Sequence, residues 1–401
     1  MIIRGYKTEL KLNNKQRTAC LKHAGAARYT YNWGLAIKQE VLDRNKDKSK
    51  EDREKVPNAI ELHRRLNQLK KEELPWMYEN SKCAPQEALR NLDRAFDNFF
   101  RRCKLKKQGK HRGKLGFPKF KSKKKGIGSF RLTGTIKVFD DAIQLPRLGR
   151  LRLKECGYIP VDGKILSATI SEHAGRWFVS VQIEESEPET FTTNDNLVAG
   201  VDLGVKTLAT VSDGTTYENP KALKSNLRKL KRLSRSVSRK RKGGQNRRKA
   251  VKRLARKHYR ISCIRKDVLH KMTTELTKTK SVIGIEDLNV KGMMRNHCLA
   301  QAISDVGFGE LRRQLEYKGK LYNCEIVVVD RFFPSSKMCN ECGCINDELK
   351  LSDRSWTCDC GAVHDRDFNA SVNLEKVAAS SSETLNACEG RLASGCSICY
   401  N

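Results

Sequence analysis

Two cysteine knuckles near the C-terminus constrain this chain more than any other feature. The segment KMCNECGCINDELKLSDRSWTCDCGAVHDRD places Cys339 and Cys342 two residues apart, with Cys358 and Cys360 in a tighter C-x-C pair after fifteen intervening residues. Four thiolates at this spacing give Zn²⁺ a closed tetrahedral site, which is structural rather than catalytic. Closing it draws residues 339 and 360 together, so the chain enters and leaves a small ribbon at one point. Cys344 and His364 stand beside the four as a spare thiol and a spare imidazole. The other cysteines are scattered singly, or lie at Cys388, Cys396 and Cys399 in a small-residue tail expected to be disordered. That usage fits a reducing, intracellular setting better than a disulfide framework.

The ribbon exits straight into the acidic pair Asp365 and Asp367, at the start of the apolar-periodic helix DFNASVNLEKV. Two more carboxylates sit where buried strands give way to loops. An apolar strand from Leu197 to Val201 ends in Asp202, turns at Gly204 and returns over Leu208 to Val211. The strand SVIGIEDLNV ends in Glu286-Asp287, and a helix (DVGFGELRRQLEYKGKLY) and the strand CEIVVVD follow. Hairpin strands, a helical crossover, a strand, a helix and a strand make a mixed α/β sheet. Carboxylates converging at one sheet edge suit hard divalent cations such as Mg²⁺. Two such ions about 4 Å apart can activate a water and stabilise the leaving oxygen of a phosphodiester. That chemistry needs a third carboxylate, and the ribbon delivers one. Asp367 begins the helix and can point back to the sheet, with Asn369 and Ala370 allowing close helix–sheet packing; Asp365 can instead cap the helix.

The charge balance points to a polyanion. Lys and Arg number 80 against 46 Asp and Glu, a formal net charge of +34 over 401 residues. An excess of that size is most easily offset by nucleic acid. No run of about 18 apolar residues is present, and MIIRGYKTEL lacks a signal-peptide pattern, so a soluble, cytoplasmic, nucleoid-associated protein without a membrane partner is expected. After a first strand, Asn14 is the expected N-cap of a helix, and PQEALRNLDRAFDNFFRRCK forms another with Leu92, Phe96, Phe99 and Phe100 on its buried face. Lys104 to Lys125 is basic with no acid, and Phe117 and Phe120 interleave as rings able to stack on unpaired bases. About 65 residues of β-like alternation follow, in which Val179, Val181 and Ile183 share one face. Lys221 to Lys280 reads as a basic helical hairpin turning at Gly243-Gly244, able to lie along a duplex backbone.

Taken together, GVDLGVKTLATVSDG, IGIEDLN, FPSSKMCNECG…WTCDCG and HDRDFNAS resemble the motifs of the TnpB (OrfB) proteins of insertion sequences, relatives of type V CRISPR effectors. SDVGFGELRRQLEYKG and GAARYTYNWGLA extend the resemblance over about residues 5 to 376. It implies an α/β, RNase H-like (RuvC) nuclease domain over 196–332 and 362–377, with an inserted zinc ribbon over 333–361. It further implies a β-barrel wedge domain over 1–13 and 105–190 carrying a helical recognition lobe over 14–104, with 378–401 left as a disordered tail. The catalytic, Mg²⁺- or Mn²⁺-holding residues would be Asp202, Glu286 and Asp367, and the zinc ligands Cys339, Cys342, Cys358 and Cys360. The implied partners are a guide RNA from the transposon end and double-stranded target DNA, cut beside a short flanking motif. The C-x-C second knuckle departs from many relatives but keeps both thiolates. Three other readings compete: a nuclease-inactive RNA-guided regulator, an actin-like ATPase sharing the D-L-G turn, and a transposase that cuts and rejoins its own element's ends. Loss of a carboxylate would favour the first. The second lacks a ribbon, a DRDxNA segment and this charge.

Overall fold

Strand alternation and one asparagine cap set the first unit's frame. In a computed structural model describing residues 2–49, 51–123, 126–186, 197–350 and 352–393, with side chains to residue 381, the chain forms two compact units, Met1–Glu187 and Pro188–Asn401. Strand β1 (Ile2–Lys11) leads into helices α1 (Asn14–Arg44), α2 (Ala59–Glu72) and α3 (Cys83–Lys107). Six strands follow: β2 (Ser129–Leu132), β3 (Lys137–Val138), β4 (Ala142–Leu145), β5 (Gly149–Leu153), β6 (Lys164–His173) and β7 (Arg176–Glu185). They pair with β1 in the antiparallel order β2-β6-β7-β1-β5-β4-β3, so the first strand of the chain completes the middle of the sheet. Val179, Val181 and Ile183 of β7 are fully buried.

The cap of α1 is Asn13, one residue earlier than expected. Its side chain accepts from the Gln16 amide while the Gln16 side chain accepts from the Asn13 amide, a reciprocal capping box. On α3, Leu92 and Phe96 are buried, but the apolar face turns outward before its end: Phe100 is 48% exposed. Phe117, expected as a free stacking ring, is instead packed edge-on against Phe96 and Phe99, with centroids 5.6 and 5.0 Å away. Burial of an aromatic ring against others outweighs its sequence context of basic residues. Phe120 is the ring of that pair left exposed.

The second unit is a mixed sheet covered on both faces. Strands β8 (Val198–Leu203), β9 (Thr207–Val211) and β10 (Thr216–Glu218) form an antiparallel meander. The hairpin of α4 (Ala222–Ser238) and α5 (Gln245–Thr279) then leads to β11 (Val282–Glu286), which pairs parallel to β8. Helices α6 (Val290–Met293), α7 (Ala300–Val306) and α8 (Phe308–Tyr322) return the chain to β12 (Glu325–Val329), parallel to β11. The strand order is β10-β9-β8-β11-β12. The ribbon hairpin β13 (Ser355–Thr357) and β14 (Val363–Asp365) precedes α9 (Arg366–Ala393). The helix therefore continues through residues 378–393, which were expected to be disordered. The rest of that tail, 394–401, lies outside the described residues. Among the described residues no helix is long and apolar enough to cross a membrane.

Alternation along β8 and β11 explains the two faces. Ala199, Val201, Ile283 and Ile285 point into a core shared with Leu269 and Leu276 of α5 and with Leu311 and Leu315 of α8. Gly200 and Gly284 face the other way, where α9 lies directly on the sheet. A Cβ on Gly200 would sit 1.9 Å from the Ser371 carbonyl oxygen, and one on Gly284 would sit 2.6 Å from that of Leu374. Backbone cannot yield as a side-chain tip can. Gly200→Ala should therefore cost about 1–3 kcal/mol or more by overpacking. At roughly 2–4 °C per kcal/mol for a domain of this size, the melting temperature should fall by about 5 °C. Gly5→Ala, with nothing within 4 Å of the added carbon, is the control. Equal melting of the two variants would contradict the flush packing of α9.

Candidate functional site

The strand register that buries Val201 opposite Ile285 brings the next residues, Asp202 and Glu286, side by side at the ends of two parallel central strands. With side chains alternating between faces, both carboxylates lie on the same face as Gly200 and Gly284, the face that α9 covers. Ser371 of α9 touches Gly200, and Asp367 lies one turn earlier, in the first turn of the helix. Three carboxylates from three elements thus approach one another. Burial first, then the charges of Glu286 and Asp367, push the Asp202 carboxyl up to about 8.

The neighbouring acids Asp365 and Asp287 are committed elsewhere. Asp365 accepts the backbone N–H groups of Asp367 at 3.1 Å and Phe368 at 2.9 Å, which makes it the cap of α9. Asp287 is held by Arg312 at 2.5 Å and by Arg331, and these two guanidinium groups keep its carboxyl below the usual range. Glu286 accepts a hydrogen bond from Ser335 Oγ. Asp367 is paired with Arg366 at 3.0 Å and Arg354 at 3.5 Å. The donor set of Asp202, Glu286 and Asp367 is all oxygen and anionic, as a hard divalent cation requires. It is looser than a single closed cage: among the described residues, only four cysteines set one ligand atom each within 4.8 Å of all the others.

Two asparagines on the buried side of α9 fasten the helix to the start of the ribbon. Asn373 Nδ2 donates to the carbonyls of Ser335 at 2.9 Å and Met338 at 2.7 Å, and Asn369 Nδ2 donates to Met338 at 2.8 Å. The Asn340 N–H in turn donates to Asn369 Oδ1 at 3.0 Å. Both asparagines are essentially inaccessible, at 1% and 0% exposure, where an unmade hydrogen bond would cost most. Sequence reasoning passed over Asn373, Ser335, Gly200 and Gly284. The available signal was two asparagines four residues apart in an apolar helical stripe, too polar for a core face without fixed partners.

The cysteine cluster lies where the spacing put it. Cys339 and Cys360 sulfurs are 3.8 Å apart, and those of Cys342 and Cys358 are 3.5 Å apart. A tetrahedron with metal–sulfur arms of about 2.3 Å has edges of about 3.8 Å, so the four thiols fit zinc. Gly343 and Gly361, at φ of 79° and 88°, supply the left-handed turns that wrap each knuckle. A backbone N–H of Cys344 foremost, with the neighbouring thiols, pulls the Cys342 thiol down to about 6. Cys344 itself is exposed and outside the cluster. His364 is buried, its ring tilted against Trp356 with centroids 4.7 Å apart, and its Nε2 lies 3.1 Å from Cys339 Sγ, a partner to a ligand sulfur. Elsewhere in this unit, the hairpin α4–α5 has no acidic residue from Lys221 to Lys266.

Comparison with known proteins finds three family models along the chain. They are OrfB_IS605, described as "Probable transposase", over 178–297; a Cas12f1-like TNB domain over 308–374; and a helix-turn-helix domain over 1–47. In the last span the structure has β1 and one long helix, α1. A Streptomyces pristinaespiralis protein named as an RNA-guided DNA endonuclease is 40% identical over 76% of this chain and 73% of its own length. An Escherichia coli (strain K12) protein of the same description, InsQ, is 29% identical over 98% and 96%. A Mycobacterium tuberculosis relative, again so named, is 32% identical over 93% and 86%.

A carboxyl raised to about 8 in the fold and near 3.8 when unfolded makes the folded state the better proton binder between those values. Stability in magnesium-free buffer should then fall as pH rises through that window. Asp202→Asn, neutral throughout, should melt with a shallower pH dependence, its advantage over the wild type growing from pH 5 to pH 8 and shrinking on addition of Mg²⁺. Parallel melting curves across this range would contradict the raised carboxyl.

Proposed function

This chain belongs to the TnpB (OrfB) family, and from that premise we propose that it is an RNA-guided DNA endonuclease of an insertion sequence. It takes an RNA derived from the transposon end and cuts matching double-stranded DNA beside a short flanking motif. The observation that carries the reading is the meeting of Asp202, Glu286 and Asp367, with Asp202 under the charge of both others. Three carboxylates brought together in this way repel one another and suit a cation of high charge density.

In this reading Asp202, Glu286 and Asp367 hold Mg²⁺ or Mn²⁺. Two ions, when bound, activate a water and stabilise the leaving oxygen of a phosphodiester. The residues of this chain do the positioning: Ser335 orients Glu286, Asp365 starts the helix so that Asp367 faces the sheet, and Arg354 and Arg366 hold Asp367 in place. The meander followed by two parallel strands supports an RNase H-like, RuvC-type domain over 196–332 and 362–377. The ribbon, 333–361, holds a structural zinc on Cys339, Cys342, Cys358 and Cys360. The first unit's antiparallel sheet is read as the wedge domain of 1–13 and 105–190, and its helices as the recognition lobe of 14–104.

The charge of +34 suits a protein that holds two polyanions, with base pairing reading the sequence while the protein holds backbone and shape. The stretch of the α4–α5 hairpin from Lys221 to Lys266, which has no acid, is one surface for those phosphates. A nuclease-inactive regulator has no use for three converging carboxylates. A transposase proper could use the same three, and dependence on RNA separates the two.

Expressed with its downstream flanking DNA and purified in high salt, the protein should retain a discrete RNA that ends in variable sequence. With that RNA it should cleave a matched duplex in Mg²⁺, and Asp202→Ala should lose cleavage while keeping the RNA. Binding should weaken steeply with salt. RNA-free protein that cuts unguided DNA would overturn the reading, and cleavage by the Asp202→Ala variant would overturn the site.

A further inference from the structure

The loop leaving β12 carries the most exposed large apolar side chain among the described residues. Phe332 is 87% exposed, yet the chain on both sides of it is fastened. Its own N–H donates to Asp330 Oδ1 at 2.8 Å, and the N–H of Phe333 donates to the Asp330 carbonyl at 3.1 Å. Arg331 donates through Nε to the Asp287 carbonyl at 3.0 Å and also grips the Asp287 carboxylate. Three residues past the ring, Ser335 holds Glu286 and is itself held by Asn373. Single exposed apolar residues are common on surfaces. This one differs in its mounting, because its loop is bonded to Asp287 on one side and to Glu286 on the other.

A ring presented this way is left in water against its hydrophobic preference, on a loop whose flanking residues are bonded to Asp287 and Glu286. The ligand that matches an exposed aromatic face, on a loop tied to a carboxylate read above as handling phosphodiesters, is a nucleobase. Bases inside a duplex already stack on their neighbours, so the base must be unpaired. Resting on the guided-nuclease reading above, we propose that Phe332 stacks on an unpaired base of the DNA strand presented to Asp202, Glu286 and Asp367. The stack sets which phosphate reaches the carboxylates.

The test uses the protein with its co-expressed RNA and a guide-matched duplex carrying 5-iodo-2′-deoxyuridine at successive positions in each strand. In an Asp202→Asn background, which stalls cutting, irradiation should crosslink residue 332 to one position near the cut. Phe332→Ala should lose the crosslink and Phe332→Trp should keep it. With Asp202 intact, Phe332→Ala should slow single-turnover cleavage about tenfold or more or scatter the cut positions, and Phe332→Trp should stay near the wild type. Wild-type cleavage that is unchanged in rate and position by Phe332→Ala would refute the assignment alone. So would a crosslink that maps to Phe368, the ring beside Asp367. A wild-type complex that cannot cut the matched duplex would refute the guided-nuclease reading and this inference with it.

Discussion

The second unit depends on a contact in which no side chain intervenes: the backbone of α9 resting on Gly200 and Gly284. Glycine is required at both places because carbonyls of α9 occupy the space of a Cβ. Once the helix lies that close, its first turn has a fixed position relative to the ends of β8 and β11. Asp367 then meets Asp202 and Glu286 as a consequence of the packing. Like charges repel, so nothing in the carboxylates themselves would hold this arrangement. It persists because apolar burial of Ala370, Leu374 and Ala378 on that face and the asparagine bonds outweigh the repulsion.

The ribbon contributes by geometry rather than chemistry. Its two knuckles close on one point, and the segment Ser335–Asn340 just before and within the first knuckle is bound by Asn369 and Asn373. The same segment reaches Glu286 through Ser335. Strand β11, the ribbon and α9 are thereby joined by a few hydrogen bonds around one short turn. A displacement of the ribbon would be felt at two of the three carboxylates.

Much of this was legible in the sequence where a local rule applies. Cysteine spacing pointed to the cluster, and apolar runs ending in Asp202 and Glu286 marked strands whose tips carry carboxylates. Choosing between Asp365 and Asp367 needed coordinates, because an acid at a helix start can cap it or face inward, and only the amide bonds of Asp367 and Phe368 separate the two. Gly200 and Gly284 look like ordinary strand residues until a helix is laid across them. Phe117 reads as a free ring among lysines, yet its partners Phe96 and Phe99 are about twenty residues away in sequence. The extra turns of α9 past residue 377 carry no apolar period, and so gave no local sign. At Gly200, Gly284 and Phe117 the deciding contact was long-range.

The most direct test of this account is zinc content and guided cleavage measured together in Asn369→Ala/Asn373→Ala. If the asparagines carry the coupling, the variant should keep about one zinc per chain and its bound RNA, yet lose cleavage, because Asp367 and Glu286 no longer share a fixed frame. Full cleavage in that variant would contradict the central claim and leave the helix–sheet glycines as sole support of the site.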